Sequence, residues 1–197
     1  MNATPLPTAL ALGLVVVLLL GCGRPASQRP GNLSDREWSA LQDAADRLGE
    51  EVSFDPIAPR YLPIGLERVP EADSLAGDAY LIFGPTEDYV NGEERPLLRL
   101  LSIRESPDSE PLRCDERPVP TDPDFRCDEL SVLDRAVTVE TVPTADDEVA
   151  DSFSFRAEDL SITVELTWRL ADSAPMEITE DAKQEGLRVA ESLIGGD

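Results

Sequence analysis

The chain has 197 residues, with 40 Asp and Glu against 17 Lys and Arg, no His, and a formal net charge of −23. This charge repels the phosphates of nucleic acids and anionic lipid headgroups, which excludes nucleic acid as a partner. The absence of His excludes Ser-His-Asp and Cys-His hydrolases and removes the commonest zinc ligand.

The amino terminus resembles the leader of a bacterial lipoprotein. An apolar run from Ala9 to Leu20 has the length of a signal-peptide core and is shorter than the roughly 20 residues of a transmembrane helix. It ends in the lipobox-like sequence Leu19-Leu20-Gly21-Cys22. We therefore expect a signal peptide at 1–21, a lipidated Cys22, and a body held on the extracytoplasmic side of the cell membrane or outer membrane. An ordinary secretory signal and an uncleaved anchor are the alternatives.

The three cysteines fit this interpretation. If a lipid occupies Cys22, then Cys114 and Cys127 remain as an even pair in an oxidising compartment. We predict that they form a disulfide closing a loop of about 14 residues. No metal centre and no cofactor are expected, because the chain lacks His and paired CxxC motifs.

A Pro-, Gly- and Arg-containing stretch at 22–33 is typical of a flexible tether, and the folded domain is expected at 34–197. Ser34 and Glu37 form a capping-box pattern that predicts the start of an amphipathic helix, with Gly49 as its stop. A second helix is predicted from Thr179 to about Ile194, and its internal Gly186 suggests close packing on a sheet.

Between these helices the pattern favours strands. Alternation is clearest at Ile162–Leu170, which we expect to pair with Ser152–Arg156 through a turn at Ala157–Leu160. The remaining predicted strands are Leu66–Val69, Ala79–Phe83, Leu97–Ile103 and Val132–Val142. The predicted fold class is α+β: a curved antiparallel sheet packed against an N-terminal and a C-terminal helix, with a disulfide-closed loop.

The segment 105–129 is rich in prolines and acids and contains both cysteines, so we expect an excursion from the sheet. Its candidate calcium ligands are Asp122, Asp124, Asp128 and Glu129. The spacing lacks the Gly and terminal Glu of an EF-hand loop, and we favour a solvated acidic loop over a metal site. Similarly, we interpret the net charge as a solubility feature, the alternative being a docking face for a basic partner or divalent cations.

Two stretches resemble an uncharacterised family of bacterial extracytoplasmic domains. The first is Pro59–Leu66, which is similar to a "YLPxG" opening, and the second is Ala190–Leu193, which is similar to an "AESL" ending. The resemblance implies a tethered lipoprotein or the outer part of a membrane-anchored regulator, and it implies no catalytic residues.

The sequence therefore predicts a lipid-anchored binding or sensing module without catalytic chemistry, whose partner is an envelope protein or an apolar ligand. The alternative is a carrier that holds a lipid or another apolar ligand in a cleft between sheet and helices. The aromatic residues that would line such a cleft are Trp38, Phe54, Phe83, Phe153, Phe155 and Trp168. We interpret them first as ordinary core residues.

Overall fold

The structure is a computed structural model that describes residues 32–86, 97–111, 113–116, 125–145, 148–169 and 180–195. Its two helices are α1 (Asp35–Glu51) and α2 (Glu180–Ile194). Its strands are β1 (Glu71–Leu75), β2 (Asp78–Phe83), β3 (Leu97–Ser106), β4 (Arg126–Val132), β5 (Arg135–Ala145), β6 (Glu148–Ala157) and β7 (Leu160–Arg169). A single 3₁₀ turn spans Cys114–Glu116.

The strands form one antiparallel sheet of seven strands in the order β1-β2-β3-β7-β6-β5-β4. Two meanders, β1 to β3 and β4 to β7, meet where β7 pairs with β3. The connection from β3 to β4 must therefore pass four strand positions. An ion pair between Arg156 Nη1 and Glu110 Oε1 (3.8 Å) places this connection beside β6 on the way.

Helix α1 begins as its sequence predicts. The Ser34 hydroxyl accepts a hydrogen bond from the Glu37 backbone N–H (3.3 Å), and the Ser34 backbone N–H donates to the Glu37 carboxylate (2.6 Å). The helix continues two residues beyond Gly49, because the Val52 N–H still donates to the Leu48 carbonyl. Its buried stripe is Leu41, Ala44, Ala45 and Leu48.

Both helices share one hydrophobic core with a single face of the sheet, which we call the inner face. On β6 and β7 this face carries Phe153, Phe155, Ile162, Val164 and Leu166, all fully buried. The opposite, outer face carries polar residues, such as Ser154 and Thr163, whose hydroxyls are 3.2 Å apart. This alternation is the one that the sequence predicts for β7.

The packing of α2 against the sheet explains why Gly186 lies inside this helix. A Cβ at this position would lie 2.1 Å from Cε2 of the buried Phe153 ring, so only glycine lets the helix approach the sheet this closely. The predicted close packing is confirmed. It places α2 directly over β6 and β7, with Val189, Ala190 and Leu193 in the core.

The predicted α+β class, the antiparallel sheet, the two helices and the disulfide are confirmed. Two strand assignments were wrong, and both ends of the predicted excursion 105–129 belong to the sheet, since β3 extends to Ser106 and β4 begins at Arg126. The predicted strand Val132–Val142 is divided by a two-residue turn at Leu133 and Asp134, both with positive φ (47° and 61°). This turn lacks the Asn-Gly or Asp-Gly pair that normally marks such a conformation, so the sequence concealed it.

The other error lies at the sheet edge. The predicted strand Leu66–Val69 forms only an isolated bridge between Leu66 and Pro85, and Val69 is exposed. The edge strand is β1 instead, which has almost no buried side chain and therefore no hydrophobic alternation to reveal it. Its pairing with β2 follows a tight turn at Ala76 and Gly77, both with positive φ.

Candidate functional site

A surface cleft of about 580 Å³ opens where the C-terminal ends of α1 and α2 meet the end of the sheet. This volume lies in the range of small-ligand sites, about 300–1,000 Å³. Four parts of the chain line the cleft: α1, the segment 55–60, the strand ends around Arg135 and Glu158, and the last turn of α2.

The α1 wall is one face of the helix. Trp38, Gln42, Ala45, Asp46 and Glu50 follow one another at helical spacing and all line the cleft. Ala45 belongs to the buried stripe, whereas Gln42, Asp46 and Glu50 are exposed. The wall is therefore apolar at its base and acidic towards solvent.

The segment 55–60 forms a second wall without regular structure, because Pro56 and Pro59 interrupt helix and strand formation. It is fixed to the sheet by Glu105 on the inner face of β3. Both carboxylate oxygens of Glu105 accept from the Ile57 backbone N–H, at 3.1 and 2.9 Å. Glu105 is 1% exposed, so this side chain anchors the wall from inside the core.

Burial also changes the acidity of this anchor. Removal from water disfavours the carboxylate and raises the pKa of Glu105 from 4.5 to about 8, although the Ile57 N–H acts in the opposite direction. Sequence reasoning missed this residue. Glu105 continues the inward-facing series Leu101 and Ile103 at a spacing of two, and that phase is the signal that would have identified it as buried.

The third side of the cleft combines the sheet end with α2. Arg135 and Glu158 are exposed, whereas Leu193 is buried and Ile194 is partly buried. Arg60 connects this side to the proline-containing wall, because its Nη1 donates to the Gly195 carbonyl at 3.3 Å. The cleft therefore has apolar side chains at its base and charged groups around its rim.

The six aromatic residues proposed to line an apolar cleft are mostly core residues. Phe83, Phe153, Phe155 and Trp168 are buried, and Phe54 is partly buried against the same core. Of the six, Trp38 alone lines the cleft described here. The structure thus supports the first interpretation, in which these aromatic residues pack the core.

Cys114 and Cys127 form the predicted disulfide, with their Cα atoms 5.7 Å apart. It joins the connection after β3 to the edge strand β4. Beside it, the Arg113 guanidinium lies 3.4 Å from the Glu129 carboxylate, which also accepts from the Cys114 backbone N–H. These contacts hold the connection to β4 in addition to the covalent bond.

The four candidate calcium ligands do not form a described cluster. Asp122 and Asp124 lie outside the described residues. Asp128 and Glu129 are neighbours on β4, so their side chains point to opposite faces, towards Lys183 (3.7 Å) and Arg113 respectively. Within the described ranges, no three His, Cys, Asp or Glu residues come together in an arrangement that could hold a metal ion.

A second buried carboxylate lies on the inner face of β6. Asp151 is fully buried, and its Oδ1 accepts from the Thr141 hydroxyl at 2.7 Å. Its Oδ2 has no hydrogen-bond partner among the described residues. Burial raises the pKa of Asp151 to about 6, against the opposing effects of Thr141 and the Lys183 charge. Asp151 is in phase with Phe153 and Phe155, which is the sequence signal that would have found it.

The predicted lipidation site, Cys22, lies outside the described residues. In the part of the chain that is described, neither helix combines the length and apolar character needed to cross a bilayer. Comparisons of the chain with protein-family models, with curated proteins and with solved structures gave no significant match.

Proposed function

We propose that this protein is a lipid-anchored extracytoplasmic module that binds or senses a ligand and performs no covalent chemistry. The observation that carries the proposal is the cleft between α1, α2 and the segment 55–60, which has a charged rim above a filled hydrophobic core. A concave surface on which polar groups converge is the usual form of a binding site.

Three features of the sequence support the anchored, extracytoplasmic part of the proposal. Cys22 ends a lipobox-like sequence. Only a short stretch separates Cys22 from Asn32, which already belongs to the folded domain because its side-chain amide donates to the Leu62 carbonyl. The resemblance of Pro59–Leu66 and Ala190–Leu193 to tethered envelope domains agrees with this placement. The Cys114–Cys127 bridge is also typical of proteins in oxidising compartments.

The residues around the cleft favour binding over catalysis. Among the described residues its lining contains no Ser, Thr, Cys, Lys or Tyr, so carboxylates are the only common nucleophiles or general bases in it. The strongly perturbed Glu105 carboxyl is occupied by the Ile57 N–H and faces the core. The alternative of an apolar-ligand carrier gains no support, because the aromatic side chains that it needs fill the core.

The anchor is tested by Cys22→Ser. We expect the variant to carry no diacylglyceryl group and to retain its leader, because the substitution removes the sulfur that receives the lipid. Mass analysis of protein purified from native membranes would show the diacylglyceryl adduct on the wild type only. Cleavage of the leader in the variant as in the wild type would contradict this part of the proposal.

The binding site is tested by photo-cross-linking in intact cells. A photoreactive residue at Gln42, on the α1 wall, is expected to form adducts, because the ligand would lie against this exposed side chain. The matched control is the same residue at Glu165, exposed on the outer face of β7. Absence of adducts at Gln42, or equal yields at both positions, would show that the cleft is not the binding site.

A further inference from the structure

The charges around the cleft are unequally distributed. Asp46, Glu50 and Asp55 are exposed on the α1 wall and at the start of the proline-containing wall. No hydrogen bond or ion pair engages these carboxylates in the described part of the chain. Glu158 adds a fourth carboxylate at the sheet end. Among the described lining residues, these four carboxylates outnumber the two cations, Arg60 and Arg135.

The two helices increase the negative potential of the same region. Both α1 and α2 end at the cleft, and neither has a basic residue in its last turn. The C-terminal end of a helix carries a partial negative charge, roughly half an elementary charge, which a Lys or Arg usually offsets. Arg60 offsets part of this charge at the end of α2 through its bond to the Gly195 carbonyl, so the end of α1 contributes most of the helix-end charge.

The excess of carboxylates around the cleft favours a cationic ligand. The base of the cleft indicates which kind of cationic ligand fits. Ala45, Ile57, Ala58, Leu193 and Ile194 present apolar surface beneath the carboxylates, and Trp38 presents an aromatic ring. A ligand that is only charged would leave this surface unused. The described residues also offer no grouping of three metal ligands, so a bare metal ion is a poor fit.

We propose that the cleft binds a basic segment of a partner protein, in which Arg or Lys side chains alternate with apolar ones. This inference rests on the proposed function and specifies its ligand class. The cationic side chains would pair with Asp46, Glu50 and Asp55, and the apolar side chains would cover the base of the cleft. The net charge of −23 would accelerate encounter with such a segment.

The probe is a short, capped, fluorescent peptide that alternates Arg with Leu, titrated into the full-length Cys22→Ser protein purified in non-ionic detergent and followed by fluorescence anisotropy. We expect saturable binding that weakens as salt is added. A matched peptide alternating Glu with Leu should not bind. Spermine should compete poorly with the peptide, because it offers charge without apolar side chains. If spermine competes as well as the unlabelled basic peptide, the site binds cations without regard to apolar side chains and the proposal is overturned.

The location is tested by a variant combining Asp46→Asn, Glu50→Gln and Asp55→Asn. It should weaken peptide binding by about tenfold or more, which corresponds to about 1.4 kcal/mol. The control variant combines Glu71→Gln, Asp108→Asn and Glu165→Gln, which removes as many exposed carboxylates away from the cleft and should change affinity by less than about threefold. Unfolding curves for both variants establish that they are folded.

Besides equal competition by spermine, three outcomes would overturn the proposal: no binding of the basic peptide, unchanged binding in the cleft variant, or equal losses in both variants. Equal losses would mean that net charge alone attracts the peptide. If the basic peptide does not bind while cross-links at Gln42 persist in cells, the ligand class is wrong and the cleft remains the binding site. If the cross-links are also absent, the proposed function fails.

Discussion

At the residue scale, two carboxyl groups are buried on the apolar inner face of the sheet, where a charged group is poorly solvated. Glu105 and Asp151 both occupy inward-facing positions among apolar neighbours. Burying a charge without a cationic partner is costly, and the protein reduces this cost by raising both pKa values. Each group also has one structural use, since Glu105 holds Ile57 and Asp151 accepts from Thr141.

The sign of the pH dependence of stability follows from the direction of the shift. Because the pKa of Glu105 is about 8 in the folded protein and near 4.5 when the chain unfolds, the folded state binds the proton more tightly. The free energy of unfolding is therefore highest at acidic pH and falls as pH rises between these two values. Above about pH 8 this contribution no longer changes.

We predict that Glu105→Gln removes this dependence. Gln is neutral and still offers a carbonyl oxygen to the Ile57 N–H, so the variant should exceed the wild type at pH 8.5 by up to about 4 kcal/mol. Denaturant unfolding at pH 6.5 and 8.5 measures the difference. Glu165→Gln, at an exposed position, is the control and should keep the wild-type profile. A Glu105→Gln variant with an unchanged profile would refute the assignment.

Asp151 should affect the free energy of unfolding at lower pH than Glu105 does. Its pKa is raised from 3.8 to about 6, so wild-type stability should decline as pH rises from about 4 to 6, and Asp151→Asn should flatten that part of the curve. Because the pH range in which Glu105 changes stability overlaps this one above about pH 4.5, unfolding at pH 4 and 6 is compared in the Glu105→Gln background with and without Asp151→Asn. If Asp151→Asn alters the slope only above pH 7, the two assignments are exchanged.

At the element scale, the position of α2 depends on one missing side chain. Intrinsic propensity alone favours Ala over Gly in a helix by up to about 1 kcal/mol. Gly186 is retained because a methyl group there would overlap the Phe153 ring, and the ring is fully buried and has no space to move into. At this position the close contact between helix and sheet therefore outweighs the low helix propensity of glycine.

A pair of Gly→Ala substitutions tests this explanation. Gly186→Ala should destabilise the protein by about 2 kcal/mol or more, since overpacking outweighs the gain in propensity. Gly49→Ala in α1 is the matched control: its new Cβ would meet Pro56 Cδ at 3.5 Å, an ordinary contact, so propensity should dominate and stability should rise by up to about 1 kcal/mol. Thermal or denaturant unfolding provides the readout. Equal effects of the two substitutions would exclude packing against Phe153 as the cause.

At the scale of the whole molecule, the disulfide fastens the long connection between the two meanders to the first strand of the second one. The first meander ends with β3, and the second begins with the edge strand β4, four positions away. Cys114 and Cys127 fasten the intervening connection to β4, with help from the Arg113 and Glu129 ion pair. Because this ion pair is largely exposed, the covalent bond is the main constraint.

We predict that replacing both cysteines by Ser lowers the free energy of unfolding by about 3 kcal/mol, the value expected for a closed loop of this size. A reducing agent should lower the stability of the wild type by a similar amount and leave the double variant unchanged. Equilibrium unfolding with and without reductant measures both effects. A wild type that is insensitive to complete reduction would contradict this role of the bridge.

The sequence by itself determined the parts of the fold that follow local rules. The capping box at Ser34 and Glu37, the alternation of β7, the β6–β7 hairpin and the pairing of Cys114 with Cys127 all depend on spacing or on parity, and all are present. The lipobox-like sequence at Cys22 remains a prediction of the same local kind.

Only the tertiary structure decided the rest. The cleft unites α1, the segment 55–60, Arg135 and the end of α2, which are far apart along the chain, so no local pattern could assemble it. The same holds for the anchoring of Ile57 by Glu105 and for the contact of Gly186 with Phe153. Spacing along a chain specifies periodicity and caps, whereas a site depends on which distant surfaces the packed core brings together.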